Sequence, residues 1–340
     1  MQTRMRSEIQ EIPDAVDRLL TEGSDRIETA AAAIRALDPR LIVTVARGSS
    51  DHACTYLKYA AELLLGIPVA SIGPSIASIY KAPLRLDRAV CIAVSQSGKS
   101  PDILDMTHAC ARDGALTVAL TNNADAPLAH AAHHPLSIHA GPELSVAATK
   151  TFVTSAAAGL LLLARIGQDA PLEAALRALP GQLAQAVQLD WPEVRSAIGP
   201  HESLYTLGRG VTLAVSDEAA LKFKETSQLH AESYSSAEVL HGPVSIVASG
   251  FPVLGFAAGD AAEHALAETA DLLTENGAQV FATSTEVKKA RAVDHVRSYH
   301  ALLDPLLLIA SFYSMIEAFA VSHGIDPDHP RFLKKVTQTR

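Results

Sequence analysis

Three clusters of residues, and one lysine near the end of the chain, have the types and spacing for chemistry on a small anionic molecule. In the first cluster the apolar run 88–94 empties into Ser95-Gln96-Ser97-Gly98-Lys99-Ser100, and a helix-compatible stretch opens at Pro101. A strand end, small hydroxyl residues, a glycine and a helix N-terminus together supply O–H donors, backbone N–H groups and the positive end of a helix dipole. These suit a phosphate dianion. The spacing is neither GxxxxGK[ST] nor GxGxxG, so a small phosphate ester is expected rather than a nucleotide. Taken alone, the same residues also read as a Ser-rich turn that caps a helix.

In the second cluster Glu218, Lys222 and Glu225 fall at i, i+4 and i+7 on one face of a helix whose N-cap is Ser216. Such spacing gives either an exposed ladder of weak ion pairs or a lysine flanked by carboxylates fit for proton transfer. The helix follows the strand end Arg209-Gly210, which points its first turns toward a ligand crevice and favours the second reading. In the third cluster His241 precedes the Gly242-Pro243 turn, with Glu232 and Glu238 nearby. Imidazole titrates near neutrality and suits acid–base work. Lys335 lies in the basic stretch 330–340, by default a frayed tail. A terminal segment can nonetheless reach a site built elsewhere, and a desolvated lysine can form a Schiff base with a ketose carbonyl. His130, His133, His134 and His139 lack a helical carboxylate partner set and are interrupted by Pro135, so no metal site is expected there, and no cofactor is called for.

The elements that must hold these residues repeat. Leu41–Gly48 matches Leu204–Gly210 at an offset of about 162 residues, and Gly114–Thr121 matches Gly277–Ser284 at nearly the same offset. The strand Val90–Val94 falls opposite Pro252–Phe256, with Ala257-Ala258-Gly259-Asp260 where the first copy has Ser95-Gln96-Ser97-Gly98. Only the first copy keeps the hydroxyl cradle. Continuous apolar strands alternate with helical stretches such as 51–65 and 102–112, which predicts parallel strands buried on both faces, and so two doubly wound α/β domains. Ligands in such sheets sit beyond the carboxyl ends of the strands, where Ser49, Ser50 and Ser95–Ser100 lie.

At 340 residues the chain exceeds the usual size of one core, so two domains of roughly 150 residues each are expected. The expected boundaries are a helical segment 1–36, a first domain 37–165, a linker 166–198 with helices broken by Pro171, Pro180 and Pro192, a second domain 199–330, and a tail 331–340. A net charge of −9 argues against nucleic acid or anionic membrane as a partner. Cys54, Cys91 and Cys110 are odd in number, without CxxC spacing and set in apolar runs, which predicts buried thiols in a reducing, cytoplasmic setting. No signal peptide is expected, because 1–11 is charged. The apolar runs 155–164 and 306–321 are expected to be too short to span a bilayer, and to form buried or subunit-interface helices.

The motifs Arg47-Gly48-Ser49-Ser50, Ser95-Gln96-Ser97-Gly98, Gly141–Phe152, Leu221–Glu225, Glu238–Pro243 and Pro330-Arg331 with Lys335 resemble, in this order, those of the sugar isomerase (SIS) domain family. Within it they resemble the isomerase half of glucosamine-fructose-6-phosphate aminotransferase. The resemblance implies two tandem doubly wound, flavodoxin-like, parallel-sheet SIS domains related by internal duplication. It implies that Ser50, Ser95, Gln96, Ser97 and Ser100 hold the sugar phosphate and that Val146 and Ala148 line the sugar's hydroxyl side. It further implies that Glu225 moves the proton between C1 and C2, that Lys335 engages the carbonyl carbon or its imine, and that His241 assists ring opening from its own or a neighbouring subunit. Lys222 and Glu218 would tune the site, and the assembly would be a homodimer with a shared site.

Three positions depart from that aminotransferase: Arg47 stands in place of a small residue, Ala148 in place of a serine and Ser100 in place of a threonine. The aminotransferase also carries an N-terminal glutaminase domain, which this chain is expected to lack, since Met1-Gln2-Thr3 offers no nucleophile. The same residues would then run in the deaminating direction, from glucosamine 6-phosphate to fructose 6-phosphate and ammonia. Two alternatives stand beside it. One is a phosphosugar isomerase or fructosamine-6-phosphate deglycase; the other is a sugar-phosphate-binding regulator without turnover.

Overall fold

Runs such as Leu41-Ile-Val-Thr-Val45 and Ala89-Val-Cys-Ile-Ala-Val94 carry no charge and put β-branched or small apolar side chains on both faces. A strand of that kind is stable only between two helical layers. The computed structural model, which describes residues 2–199 and 201–335, builds two such layered units. Of the described residues, one comprises Pro13–Glu143, Lys150–Pro180 and 334–335; the other comprises 2–12, Leu144–Thr149, 181–199 and 201–333. Residues 336–340 of the expected tail lie outside the described residues.

The first unit holds β1 (Leu41–Val45), β2 (Val69–Ser71), β3 (Ala89–Val94), β4 (Leu116–Thr121) and β5 (His134–Ser137), all parallel, in the order β2-β1-β3-β4-β5. The second holds β6 (Ser203–Gly208), β7 (His230–Ser235), β8 (Pro252–Gly255), β9 (Gln279–Ala282) and β10 (Arg291–Ala292) in the order β10-β9-β8-β6-β7. Read from its opposite edge, that sheet repeats the winding of the first strand for strand. The repeated segments therefore occupy equivalent places, with β1 matching β6, β3 matching β8 and β4 matching β9. The tandem doubly wound architecture is thus present twice. In each sheet the chain reverses its direction of winding beside the first strand, between β1 and β3 and again between β6 and β8, and such a reversal opens a crevice at the carboxyl ends.

Helices close both faces. In the first unit Ser49–Leu65 packs on Lys150–Ile166 so closely that a Cβ on Gly159 would lie 2.4 Å from Leu57 Cδ1. Cys91 and Cys110 sit in the core with Val43, Ile103 and Met106, and Cys54 is buried as well; all three thiols are free. In the second unit Asp304–Ser322 packs on Leu213–Ser227, with Phe223 and Phe312 edge to face at 5.3 Å.

Two expectations need correction. Pro180 does not break a helix; it lies inside the continuous helix Ala170–Ala186, while Pro171 and Pro192 occupy helix starts, where a missing N–H costs nothing. The apolar segment 306–321 belongs to a longer helical stretch, Ala301–Ser322, which is long and apolar enough to cross a membrane. It is 83% buried within the fold, as a core helix is. Its one acid near the end, Glu317, is held by Arg6 at 2.8 Å and by Thr3 at 2.6 Å.

The second unit fills its own strand ends with charge. Arg297 donates to Ala257 O at 2.6 Å beyond β8, to Thr283 O at 3.0 Å beyond β9, and to Glu263 at 2.6 Å and Asp304 at 3.3 Å. Removing that guanidinium leaves two carboxylates uncompensated, one of them, Asp304, almost fully buried. Arg297→Ala is expected to cost about 3 kcal/mol of stability, the lower end for one partner lost from a buried pair, read as a fall in the denaturant midpoint at unchanged slope.

Candidate active site

The site residues expected from sequence fall into two sets, one in each unit. In the first unit, Ser50 begins the helix Ser49–Leu65 beyond β1, and Ser95–Ser100 form the turn between β3 and the helix Pro101–Arg112. Gly98 adopts φ +61°, and a Cβ there would lie 2.5 Å from Ala126 Cβ and 2.9 Å from Thr121 Oγ1. Only glycine fits. The turn is pinned from both sides: Gly98 N–H donates to Ser95 Oγ at 3.2 Å, Asn122 N–H to Gln96 O at 3.1 Å and Leu128 N–H to Gly98 O at 3.2 Å. Ser100 is the N-cap residue, but its hydroxyl does not cap the helix. The cap reading therefore gives way to a turn that keeps a hydroxyl at the positive end of a helix.

Lys335 belongs to this same set. It borders a cavity of about 200 Å³ lined also by Gln96, Ser97, Lys99, Asn122 and Asn123. Its ammonium donates to Glu143 Oε2 at 2.7 Å. Glu143 in turn accepts the Thr151 N–H at 3.0 Å and the Thr151 hydroxyl at 2.7 Å, at the first turn of Lys150–Ile166. Burial alone would push the Glu143 carboxyl up. Lys335 and the two bonds from Thr151 outweigh it and hold the group below its ordinary value.

In the second unit Glu218, Lys222 and Glu225 lie on the helix Leu213–Ser227, which starts earlier than expected: its N-cap is Thr212, and Ser216 lies inside it with its hydroxyl on Thr206 Oγ1 at 3.1 Å. They are not an exposed ladder: Glu218 and Lys222 are fully buried and the Glu225 side chain is 22% exposed. Lys222 Nζ stands 3.1 Å from Glu218 Oε1 and 2.6 Å from Glu225 Oε2, while Tyr313 O–H donates to Glu218 at 3.0 Å. Burial pulls the Lys222 ammonium toward deprotonation, but the two carboxylates prevail and hold it well above the ordinary lysine range. An ammonium so fixed is no nucleophile. It orients Glu225, whose partial exposure leaves a carboxylate reachable by a substrate. His241 is exposed, just after the short turn Glu238–Leu240, and Val146 and Ala148 are half-buried in the 144–149 segment. The histidine cluster has other uses: His133 bonds Thr117 Oγ1 at 2.8 Å, and His139 lies 3.2 Å from Glu22.

Glu143, Asn122, Asn123 and Tyr313 were not singled out from sequence. The two asparagines follow β4, so the rule that ligands meet strand ends points to them. A tyrosine in an apolar helix needs a partner for its hydroxyl, which is the one local signal at Tyr313. Nothing in the spacing marks Glu143 as the partner of a lysine 192 residues away.

Because Glu143 is ionised more readily folded than unfolded, its contribution is complete above the ordinary carboxylate value of 4.5 and is lost as pH falls through the lowered one. The difference in melting temperature between the native chain and Glu143→Gln is expected to be largest near neutrality and to shrink below pH 4.5, as read by thermal melts across pH.

Comparison with known proteins agrees with the duplicated architecture. The SIS domain signature matches residues 37–165 and 198–314. A glutamine–fructose-6-phosphate aminotransferase of Symbiobacterium thermophilum is 33% identical over 359 residues, which cover 97% of this chain and 58% of that protein. The chain thus spans a little over half the length of the curated relatives it matches. A candidate phosphosugar isomerase from Silicibacter pomeroyi DSS-3 has a solved structure with 68% identity and a TM-score of 0.94, covering 96% of this chain and all of that one. The C-terminal domain of the Francisella tularensis glucosamine-fructose-6-phosphate aminotransferase shares the fold at 22% identity and a TM-score of 0.87, covering 97% of this chain and 99% of that one. A hydroxyl-rich turn at the switch point of one of two equivalently wound sheets, read with these matches over both halves, makes this chain a member of the SIS domain family.

Proposed function

We propose that the chain is an enzyme of amino sugar metabolism that acts on a sugar phosphate, and that its reaction is the deamination of glucosamine 6-phosphate to fructose 6-phosphate and ammonia. The observation that carries this reading is the pairing, in one chain, of an anion-receptive turn with a lysine on its cavity wall and a lysine-oriented carboxylate, Glu225. In this reading Ser50, Ser95, Gln96, Ser97 and Ser100 hold the phosphate through hydroxyls, amides and the helix dipole. Val146 and Ala148 line the sugar. His241 assists ring opening, from its own chain or from a second copy in a homodimer.

Glu225 then takes the C2 proton of the open aldehyde form and returns it to C1. The electron pair of the C2–H bond forms C1=C2 as the C1=O π pair moves onto O1, which takes a proton; the resulting enolamine is then reprotonated at C1 by Glu225 as the nitrogen lone pair forms C2=N, giving the protonated ketimine. Water adds to the C2 ketimine carbon and the nitrogen leaves as ammonia, so one water is consumed for each ammonia released. Lys335, on the wall of the cavity, engages the carbonyl group through its ammonium, which supplies positive charge where the enolate-like oxygen develops. Lys222 and Glu218 fix the direction of Glu225. The relatives are named as isomerizing aminotransferases of fructose 6-phosphate, a sugar phosphate of the same class, and the buried free thiols suit a reducing cytosol.

The test is ammonia release over a panel of glucosamine 6-phosphate, its galacto epimer, a fructosamine 6-phosphate and plain hexose 6-phosphates. Glucosamine 6-phosphate is expected to be turned over best; silence on it beside an active competitor overturns the assignment. Glu225→Gln is expected to lower turnover about 10²- to 10⁴-fold while sugar phosphate still binds, the range for a lost acid–base group. A regulator without turnover would show no ammonia from any substrate.

A further inference from the structure

The anion-receptive turn of the first unit contains an anion of its own. Asp102 is the second residue of the helix Pro101–Arg112, its side chain is 1% exposed, and Oδ1 accepts the N–H of Ile103 at 2.9 Å. A carboxylate there draws on the same helix dipole that would hold a phosphate, and it takes up one of the first-turn amides. A dianion entering beside Ser95–Ser100 meets a negative charge of low mobility and little solvent screening. Left uncompensated, that charge opposes binding.

Part of its compensation comes from the neighbouring strand. Arg47 lies just beyond β1 and donates from Nε to Asp102 Oδ2 at 3.0 Å. The two residues are 55 positions apart and join the two turns that flank the switch point of the sheet, the one leading to Ser50 and the one carrying Ser95–Ser100. The Arg47 side chain is 55% exposed while its partner is closed off, so the positive charge stands on the solvent side of the pair. Residue 47 is also one of the three positions that depart from the aminotransferase pattern.

We infer that Arg47 is a positioning residue for phosphate recognition: it cancels the field of Asp102 at the mouth of the turn, so that the hydroxyls and the helix dipole are left to act on the substrate's phosphate. The inference rests on the reading of Ser50 and Ser95–Ser100 as the phosphate site. It assigns the affinity of that site to an ion pair, not to arginine touching the ligand. Arg47→Met should therefore weaken binding by unmasking Asp102, and removal of the Asp102 charge should reverse the loss.

Calorimetric titration of the full chain with glucitol 6-phosphate, a polyol phosphate that cannot isomerise, tests it. Arg47→Met is expected to bind about ten-fold more weakly than the native chain, and Arg47→Met/Asp102→Asn to return to within about three-fold of native, as charge cancellation requires. Asp102→Asn alone, which leaves Arg47 uncompensated, is expected to bind at least as tightly as native. Native-like binding by Arg47→Met overturns the inference. So does a double variant as weak as the single one, which would mean that Arg47 contacts the phosphate directly. Weakened binding by Asp102→Asn overturns it too, and that variant remains decisive even where Arg47→Met does not fold. Failure of the native chain to bind the probe at all overturns the phosphate-site reading itself, and the inference with it.

Discussion

A strand that ends and turns at once into a helix leaves backbone N–H groups pointing at whatever lies beyond the sheet, and these groups demand negative charge or hydrogen-bond acceptors. Both units face that demand at equivalent places, and they answer it differently. In the first, beyond β3, a turn fixed by Gly98 keeps small hydroxyls in place. In the second, beyond β8 and β9, internal carboxylates of Glu263 and Asp304 gather around Arg297, and Asp304 takes the Gly259 N–H at 2.8 Å. One copy of the duplication has satisfied its strand ends from within. The other leaves small hydroxyls beside them.

The two buried lysine–carboxylate networks follow one rule: each charge is held by partners of opposite sign and by hydrogen bonds to the spare atoms. Lys222 lies between Glu218 and Glu225, with Tyr313 on the far carboxylate. Glu143 has Lys335 and both polar atoms of Thr151. Networks of this kind contribute less to net stability than their contact distances suggest, because desolvation offsets most of the attraction. Their value is geometric. They leave one lysine and one carboxylate in fixed directions on otherwise mobile side chains.

The fold was largely legible in the sequence, because parallel strands must be apolar throughout and the second half repeats the first. Strand positions, the glycine in the hydroxyl-rich turn and the helix beginning at Pro101 were all readable from local pattern. What escaped depended on long-range pairing. The Glu218–Lys222–Glu225 spacing is the same on a wet surface and in a core, and only burial separates the two. Asp102 reads as an ordinary first-turn acid until Arg47 is found against it, and Glu143 reads as a loop acid until Lys335 is. Pro180 looked like a helix breaker, yet it sits inside the continuous helix Ala170–Ala186.

The bond from Lys335 to Glu143 spans 192 positions, and the 2–12 and 144–149 stretches are likewise grouped with the opposite half of the chain. During synthesis on the ribosome, the unit built mainly from 13–143 and 150–180 lacks Lys335 on the wall of its cavity until 181–333 of its sister has been made. The cavity of that unit is therefore completed only after the second repeat has been synthesised. The long loops that must close before these contacts form make the assembly of the site a late event in folding, and expose the nascent chain to association with other chains in the meantime.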